Sequence, residues 1–389
     1  MTNVPARWDE EADVVVVGYG FAGATAAITA ADAGAKVLLL EKAPEQHKGG
    51  NSRVSANIVF WPADITQAEA HFVALAGPYL DNIPAAMIHV WAREMHANKA
   101  WLEGLGMVPV EMPYVEFPHL DGAECVRVLK NGDGPIGGER LWHMNNVSGP
   151  ILAFKAPDIE VAQWLNLPHG KSFVFVAADG MRFTMEGEPC SVGDFHGKVN
   201  RHGVWMQQTL PTPIHMIFDE TYRLSGPIGK ATTDWDVVHG NRYNWSDDNL
   251  REVDKGWIKQ ADTVRALAQL IGISPDTLDD TLRRFNAAAA QAQDSDWGRT
   301  ADSLAPLATP PYYAMEFTPA LVNTQGGPRR NQDAQIIDVD GLPIGRLYSA
   351  GELGSIYSFL YQGGANIGEC FAFGRIAGAN AAKEIPAGD

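Results

Sequence analysis

Apolar and polar positions alternate with different periods along this chain, and the changes of period divide it. Near the start, Val14-Val15-Val16-Val17 follows Asp13 as an unbroken β-branched run. A run without polar alternation predicts a strand buried on both faces. Gly18-Tyr19-Gly20-Phe21-Ala22-Gly23 then predicts a turn, Ala24 to Ala33 an Ala-rich helix, and Gly34 its end. Lys36-Val37-Leu38-Leu39-Leu40 is a second apolar run, closed by Glu41, so the order is β–α–β. After a loop at His47 to Arg53, helical periodicity marks Ile65 to Leu75 and Pro84 to Leu105. From Met112 to Leu141 periodic apolar positions thin out among Pro and Gly, which predicts loops.

The stretch from Trp142 to about Phe317 has another character. Ser172 to Val176 and Ile214 to Asp219 read as strands, with a turn at Asp179-Gly180 after the first. Helices are expected at Asp262 to Ile271 and at Pro275 to Gln293, the second opened by Ser274-Pro275. Seven of the tryptophans fall here, among them Trp245, Trp257 and Trp297, and are expected mostly in a core. Beyond Phe317 the α/β pattern returns. Gln335 to Val339 and Arg346 to Ala350 read as strands around a turn at Asp340-Gly341, and Ile367 to Lys383 as a helix opening after Gly363-Gly364.

Composition narrows the class. The 389 residues are 46% hydrophobic and 20% charged, as in a globular enzyme of two domains or one interrupted domain. The net charge of -17 disfavours nucleic acid and anionic membrane surfaces as partners. Cys125, Cys190 and Cys370 stand far apart with no CxxC, which argues against iron–sulfur clusters, c-type haem and a disulfide scaffold. The polar start is not a secretion signal, and no apolar run is long enough to span a bilayer. A cytoplasmic location is expected.

Two glycine-rich turns carry the chemistry. Gly18-x-Gly20-x-x-Gly23 lies between a strand and a helix, with Glu41 about 20 residues on. The first glycine allows the tight turn, the second lets backbone approach a pyrophosphate, and the third lets helix and strand pack closely. The helix start offers amides and a positive dipole end to phosphate, and the acid can bind a ribose hydroxyl. At the far end, Ser349-Ala350-Gly351-Glu352 follows a strand and Gly363-Gly364-Ala365-Asn366 opens a helix. That helix start would suit the N1–C2=O edge of a reduced, anionic flavin, which points to FAD rather than NAD.

These pieces, with Gly49-Gly50-Asn51-Ser52, Asp179-Gly180-Met181-Arg182-Phe183, Thr324-Gln325-Gly326-Gly327 and Phe373-Gly374-Arg375-Ile376-Ala377-Gly378, run in order from end to end. Together they resemble the fumarate reductase/succinate dehydrogenase flavoprotein superfamily, which includes 3-ketosteroid dehydrogenases. The resemblance implies an α/β fold. A discontinuous Rossmann-like FAD-binding domain, residues 1–141 and 318–389, is interrupted by an inserted α+β cap domain, residues 142–317, with substrate stacked on the flavin between them. It implies that FAD is held by Gly18, Gly20, Phe21, Ala22, Gly23, Glu41, Lys42, Gly50, Asn51, Ser52, Gly351, Glu352, Asn366 and Ile367. Hydride transfer to or from a carbon of a C–C or C=C bond follows from it, with a diffusible electron donor or acceptor as partner.

Two departures from the family pattern shape the expected site. Dicarboxylate-reducing members carry a His and an Arg before the Gly-Gly turn, where this chain has Tyr357 and Tyr361. Phenols do not replace charged carboxylate partners, but they donate to a ketone oxygen. Tyr361 with Gly364 resembles the Tyr–Gly pair that polarises the carbonyl in 3-ketosteroid dehydrogenases, so an apolar ketone or enone substrate is favoured. The acid or base of the cap matches Cys190, with Asp194 and His196 close by and His119 as an outside candidate. A carboxylate-acting enzyme, with Arg329 and Arg330 as its charges, is the rival reading. The second departure is length. Relatives carry further strands of the FAD domain before the cap, whereas here Gly137-Gly138-Glu139-Arg140-Leu141 runs directly into Trp142-His143-Met144. Loss of those strands would expose apolar edges, and a catalytically silent relative with an incomplete FAD site is the third reading.

Overall fold

The computed structural model describes residues 7–45, 48–50, 52, 58–112, 115–131, 150–157, 170–186, 194–195, 198–202, 204–207, 211–229, 243, 245–321 and 325–384. The chain divides into two compact units, Met1–Val147 with Asn323–Asp389, and Ser148–Val322.

The first unit begins with β1 (Val14–Val17), α1 (Phe21–Asp32) and β2 (Val37–Leu40). β1 and β2 pair in parallel, Val14 opposite Val37 and Val17 opposite Leu40, as the β–α–β order requires. β3 (Val59–Pro62), α2 (Ile65–Ala76), α3 (Ala85–Gly104), β4 (Pro109–Met112) and β5 (Val126–Asn131) follow. Asp64 caps α2 by accepting from Gln67 N at 2.8 Å. The three strands form an antiparallel sheet in the order β3-β5-β4. Loops were expected over Met112 to Leu141, and β5 corrects that. Its Val126, Val128 and Leu129 are fully buried, but the strand is short and sits among Pro and Gly, so its period is lost locally.

The second unit holds β6 (Pro150–Ala153), β7 (Phe173–Val176), β8 (Asp194–Phe195), β9 (Lys198–Arg201), β10 (Val204–Gln207) and β11 (Ile214–Asp219). The short helices α4 (Glu220–Arg223) and α5 (Leu250–Asp254), then β12 (Ile258–Ala261), α6 (Val264–Leu270), α7 (Pro275–Gln291) and β13 (Tyr312–Leu321) complete it. The main sheet runs β12-β13-β11-β7, with β6 also on β13. Ser274 caps α7 and Pro275 occupies its first turn, where a missing N–H costs nothing. Trp245 lies in the core on one face of this sheet, with Trp257 packed against it.

The chain returns to the first unit with the antiparallel hairpin β14 (Gln335–Ile337) and β15 (Pro343–Tyr348), then α8 (Ala365–Ala381). α8 packs closely along α1. A Cβ on Gly378 would lie 2.3 Å from the Ala26 carbonyl oxygen, and one on Gly374 would lie 2.9 Å from that of Ala22. Phe21 and Phe371 meet with ring centroids 5.2 Å apart. Small residues on both helices therefore bring the two ends of the chain together.

One expectation fails in β1. Val14 and Val16 are buried, but Val15 is 54% and Val17 82% exposed. β1 pairs with β2 alone among the described strands, and the side of the run bearing Val15 and Val17 is not covered by the described residues. Among the described residues, no helix is long and apolar enough to cross a membrane.

Candidate active site

The opening of α1 is built on its glycines. Gly18 has φ +100°, a backbone conformation that side chains disfavour. A Cβ on Gly23 would sit 1.9 Å from the Gly18 carbonyl oxygen, so only glycine lets the turn close on the helix. Phe21 N donates to Ser52 Oγ at 2.7 Å, tying the loop at residue 52 to the first helical amide. Glu41 stands at the end of β2. Its Oε1 accepts from Ala43 N at 2.8 Å and its Oε2 from Tyr19 N at 2.9 Å. These two amides hold the carboxyl below its ordinary range. Lys42 and Gly50 are exposed beside it. Asn51 lies outside the described residues.

The C-terminal turn meets this opening directly. Gly351, at φ +71°, leaves space that a Cβ would fill, 2.7 Å from Cys370 Sγ and 3.1 Å from Ala22 Cβ. Burial pushes the Cys370 thiol up to about 12, so it packs rather than reacts. Glu352 Oε1 accepts from Asn366 Nδ2 at 3.1 Å, and Gln325 Nε2 donates to Asn366 Oδ1. Asn366 N donates to the Tyr361 hydroxyl at 2.9 Å. Gly363 N donates to Glu116 Oε2 at 2.8 Å, while Glu116 N donates to Gln362 Oε1 at 3.2 Å. At the start of α8, whose partial positive charge was expected to suit a flavin edge, a carboxylate and a phenol of the chain itself take two amides, and Ala365 N is bound to Gln362 O. Gly364, at φ +84°, packs so tightly that a Cβ would lie 2.9 Å from Phe60 N. Ile367 is buried just beyond it.

Tyr357 and Tyr361 meet edge-on at 5.2 Å, both buried. Burial pushes both phenols well above their ordinary pKa, against a lowering by the Asn366 amide in the case of Tyr361. They stay protonated and can act as donors. Tyr357 also packs against Phe72 and Trp91, with centroids 5.4 and 6.0 Å away. Tyr357 OH and Trp91 Nε1 face each other without reaching full hydrogen-bond geometry, yet the Trp91 N–H lowers the phenol pKa slightly against the effect of burial. An unmet buried donor costs about 1–3 kcal/mol.

Of the two charges named for the carboxylate reading, Arg330 is committed within the chain. It was expected as a charge for a carboxylate, but it is buried and bound to Glu369 and to two loop carbonyls. Arg329 is exposed, as is His119. Arg182 of the quoted motif is likewise committed, buried between Glu186 and Asp294 with Nη2 2.9 Å from Asp294 Oδ2. Cys190 and His196 lie outside the described residues, and of Asp194 only the backbone, in β8, is described. Sequence reasoning missed Glu116, Gln362 and Glu369. Glu116 stands in a Pro-containing loop with no local signal, and Gln362 and Glu369 flank motifs read only for their glycines.

FAD fits the residues present. The Gly18–Gly23 turn has no Cβ in the way, and no heavy atom stands within 4 Å of the point where a Gly18 Cβ would be. Glu41 keeps further lone pairs for a ribose hydroxyl beyond the two amides it accepts. The comparisons agree. The model of the FAD binding domain family matches residues 13–146 and 167–367. Digoxin reductase of Eggerthella lenta is 40% identical over 129 residues, covering 32% of this chain and 23% of that protein. The chain thus spans less than a quarter of that relative in the matched region. The probable fumarate reductase Ifc3 of Shewanella frigidimarina is 25% identical over 458 aligned positions, covering 98% of this chain and 76% of the relative. Those positions outnumber the 389 residues of this chain, so part of the relative has no counterpart here. In fold, the 3-ketosteroid Δ1-dehydrogenase of Sterolibacterium denitrificans, solved with 1,4-androstadiene-3,17-dione, superposes with a TM-score of 0.70 over 95% of this chain and 99% of that one, at 16% identity. With the motif residues gathered where α1 meets α8 and the family match running over most of its length, the chain belongs to the FAD binding domain family.

Proposed function

We propose that this chain is an FAD-dependent oxidoreductase acting on a carbon–carbon bond next to a carbonyl, with an apolar ketone or enone as substrate. The observation that carries this reading is the Tyr357–Tyr361 pair at the start of α8, where Asn366 N donates to the Tyr361 hydroxyl. A hydroxyl that accepts an N–H is polarised into a stronger donor. In this reading Tyr361 and the Gly364 N–H polarise the substrate carbonyl. Gly18, Gly20, Phe21, Ala22 and Gly23 hold the pyrophosphate of FAD, with Glu41 and Lys42 at its ribose. Gly50, Asn51 and Ser52 close the turn over it, and Gly351, Glu352, Asn366 and Ile367 line the flavin side. Bound FAD supplies two-electron hydride chemistry at the substrate carbon, in exchange with a diffusible electron partner. The proton at the α-carbon moves through Tyr357 or through a cap side chain, Cys190, Asp194 or His196.

The commitment of Arg330 to Glu369 weighs against a carboxylate substrate. A relative named for digoxin and a fold neighbour solved with a steroid dienone also fit an enone. In the full chain reconstituted with FAD, Tyr361→Phe is expected to lower turnover of a 3-ketosteroid enone by about 10²-fold or more, with flavin retained. Unchanged turnover removes Tyr361 from the site, and turnover of fumarate but no enone overturns the substrate class. The exposed β1 edge favours one second reading, a relative that does not retain FAD. A preparation that stays colourless after incubation with FAD, lacking the flavin absorbance band, would establish it.

A further inference from the structure

Arg330 and Glu369 form a closed ion pair that the proposed reaction does not use, and neither side chain has any exposed surface. Arg330 follows the Gly326-Gly327 turn, and Glu369 lies on α8. Arg330 Nη2 donates to Glu369 Oε1 at 3.1 Å. Its Nη1 donates to the carbonyls of Gly351 and Leu353, each at 3.1 Å. Its guanidinium lies 3.7 Å over the Phe373 ring. On the other side, Glu369 Oε2 accepts from Ser355 Oγ at 2.5 Å and Oε1 from Ile356 N at 3.5 Å. Gly354, at φ +88°, threads through this contact. A Cβ there would lie 2.9 Å from Ser349 Oγ, 3.0 Å from Pro328 O and 3.4 Å from Arg330 Cδ.

Apart from the ring contact and the pairing itself, every one of these bonds ends on a single turn, residues 351–356. Two buried charges are a poor way to gain stability, because apolar side chains of the same volume often do as well or better. What a guanidinium supplies is direction, since its planar fork meets a carboxylate and two carbonyls at fixed angles. The turn so fixed bears Glu352. Glu352 holds the Asn366 side chain at 3.1 Å, and Asn366 N donates to Tyr361 OH at 2.9 Å.

We infer that Arg330 and Glu369 are positioning residues, whose pair holds turn 351–356 so that Glu352 and Asn366 aim the Tyr361 hydroxyl. This rests on the role proposed for Tyr361. The same turn carries Gly351 and Glu352 toward the cofactor, so the pair acts on FAD binding as well as on the phenol.

A mutant cycle in the full chain tests it. Glu369→Gln and Ser355→Ala are each made alone and together with Tyr361→Phe. Ser355→Ala deletes the bond to Glu369 and a long one, 3.3 Å, from Tyr357 N, without stranding a charge, so it carries the test if Glu369→Gln does not fold. Turnover is measured on a 3-ketosteroid enone with an artificial electron donor, and FAD affinity by flavin fluorescence titration. Glu369→Gln is expected to lower kcat about 10-fold and Ser355→Ala about threefold, with KM moving less than about twofold. In the Tyr361→Phe background both losses should shrink to within about twofold, since residues acting through one group are not additive. FAD affinity should fall about 10-fold with Glu369→Gln and stay within about twofold with Tyr361→Phe. Equal kcat losses with and without the Tyr361 hydroxyl overturn the inference, as does an unchanged FAD affinity in Glu369→Gln. Full turnover in Tyr361→Phe alone overturns the proposed role of Tyr361, and this inference with it.

Discussion

β11 and β1 are both strands rich in apolar residues, yet one is sealed and the other half open. All six residues of β11 are buried, and the strand is paired on both sides, with β13 and β7. Ile214, Met216 and Phe218 enter one core with Phe175 and Trp245, while Ile217 enters another with Leu278 and Phe285. β1 has β2 on one edge. Val14 and Val16 pack with Ala30, and Val15 and Val17 face outward. The comparison teaches that an unbroken Val run specifies a strand but not its surroundings. Burial of the second face depends on a layer that some other part of the chain must supply, and in β1 that layer is absent among the described residues.

Three substitutions break or sharpen this contrast. The largest effect is expected for Ile217→Ala in β11. It should cost about 2–5 kcal/mol in urea unfolding, from lost transfer energy plus a cavity in a sheet covered on both faces. A cost under about 1 kcal/mol would mean that β11 is not enclosed as described. Next comes Gly378→Ala at the α1–α8 contact. Its new methyl meets the Ala26 backbone at 2.3 Å, and overpacking against backbone costs about 1–3 kcal/mol. Thermal unfolding that stays at the parent midpoint would show the two helices farther apart than this. The smallest effect is expected for Val17→Thr, within about 0.5 kcal/mol, as for an exposed side chain. A loss of 2 kcal/mol or so at that position would reveal that something covers β1 in solution, and the contrast with β11 would vanish.

Much of the organisation is legible locally. The β–α–β start, the helices opened by Ser274-Pro275 and by Gly363-Gly364, and the strand at Ile214 to Asp219 follow from period, capping and glycine placement. β3, β4 and β5 do not. Pro62 ends β3 and Pro109 opens β4, and β5 lies in a stretch rich in Pro and Gly, so no local pattern marks them as strands. Of the candidate site, the glycines answer local backbone requirements, whereas Tyr361 was singled out by the resemblance to a family. Glu116 could not, since its partner is Gly363, 247 positions away. Arg330 was visible as a charge but misread in role, because whether an arginine meets a ligand or a buried glutamate depends on what folds over it.

Residue order alone determined the opening β–α–β, the long helices and their turns, because those choices depend on neighbours a few positions apart. Only the tertiary structure decided that Gly378 would press against Ala26, that Arg330 would close on Glu369, and that Val17 would stay in water. Each of those outcomes joins, or fails to join, groups far apart in the chain, and no local pattern encodes the company a side chain keeps.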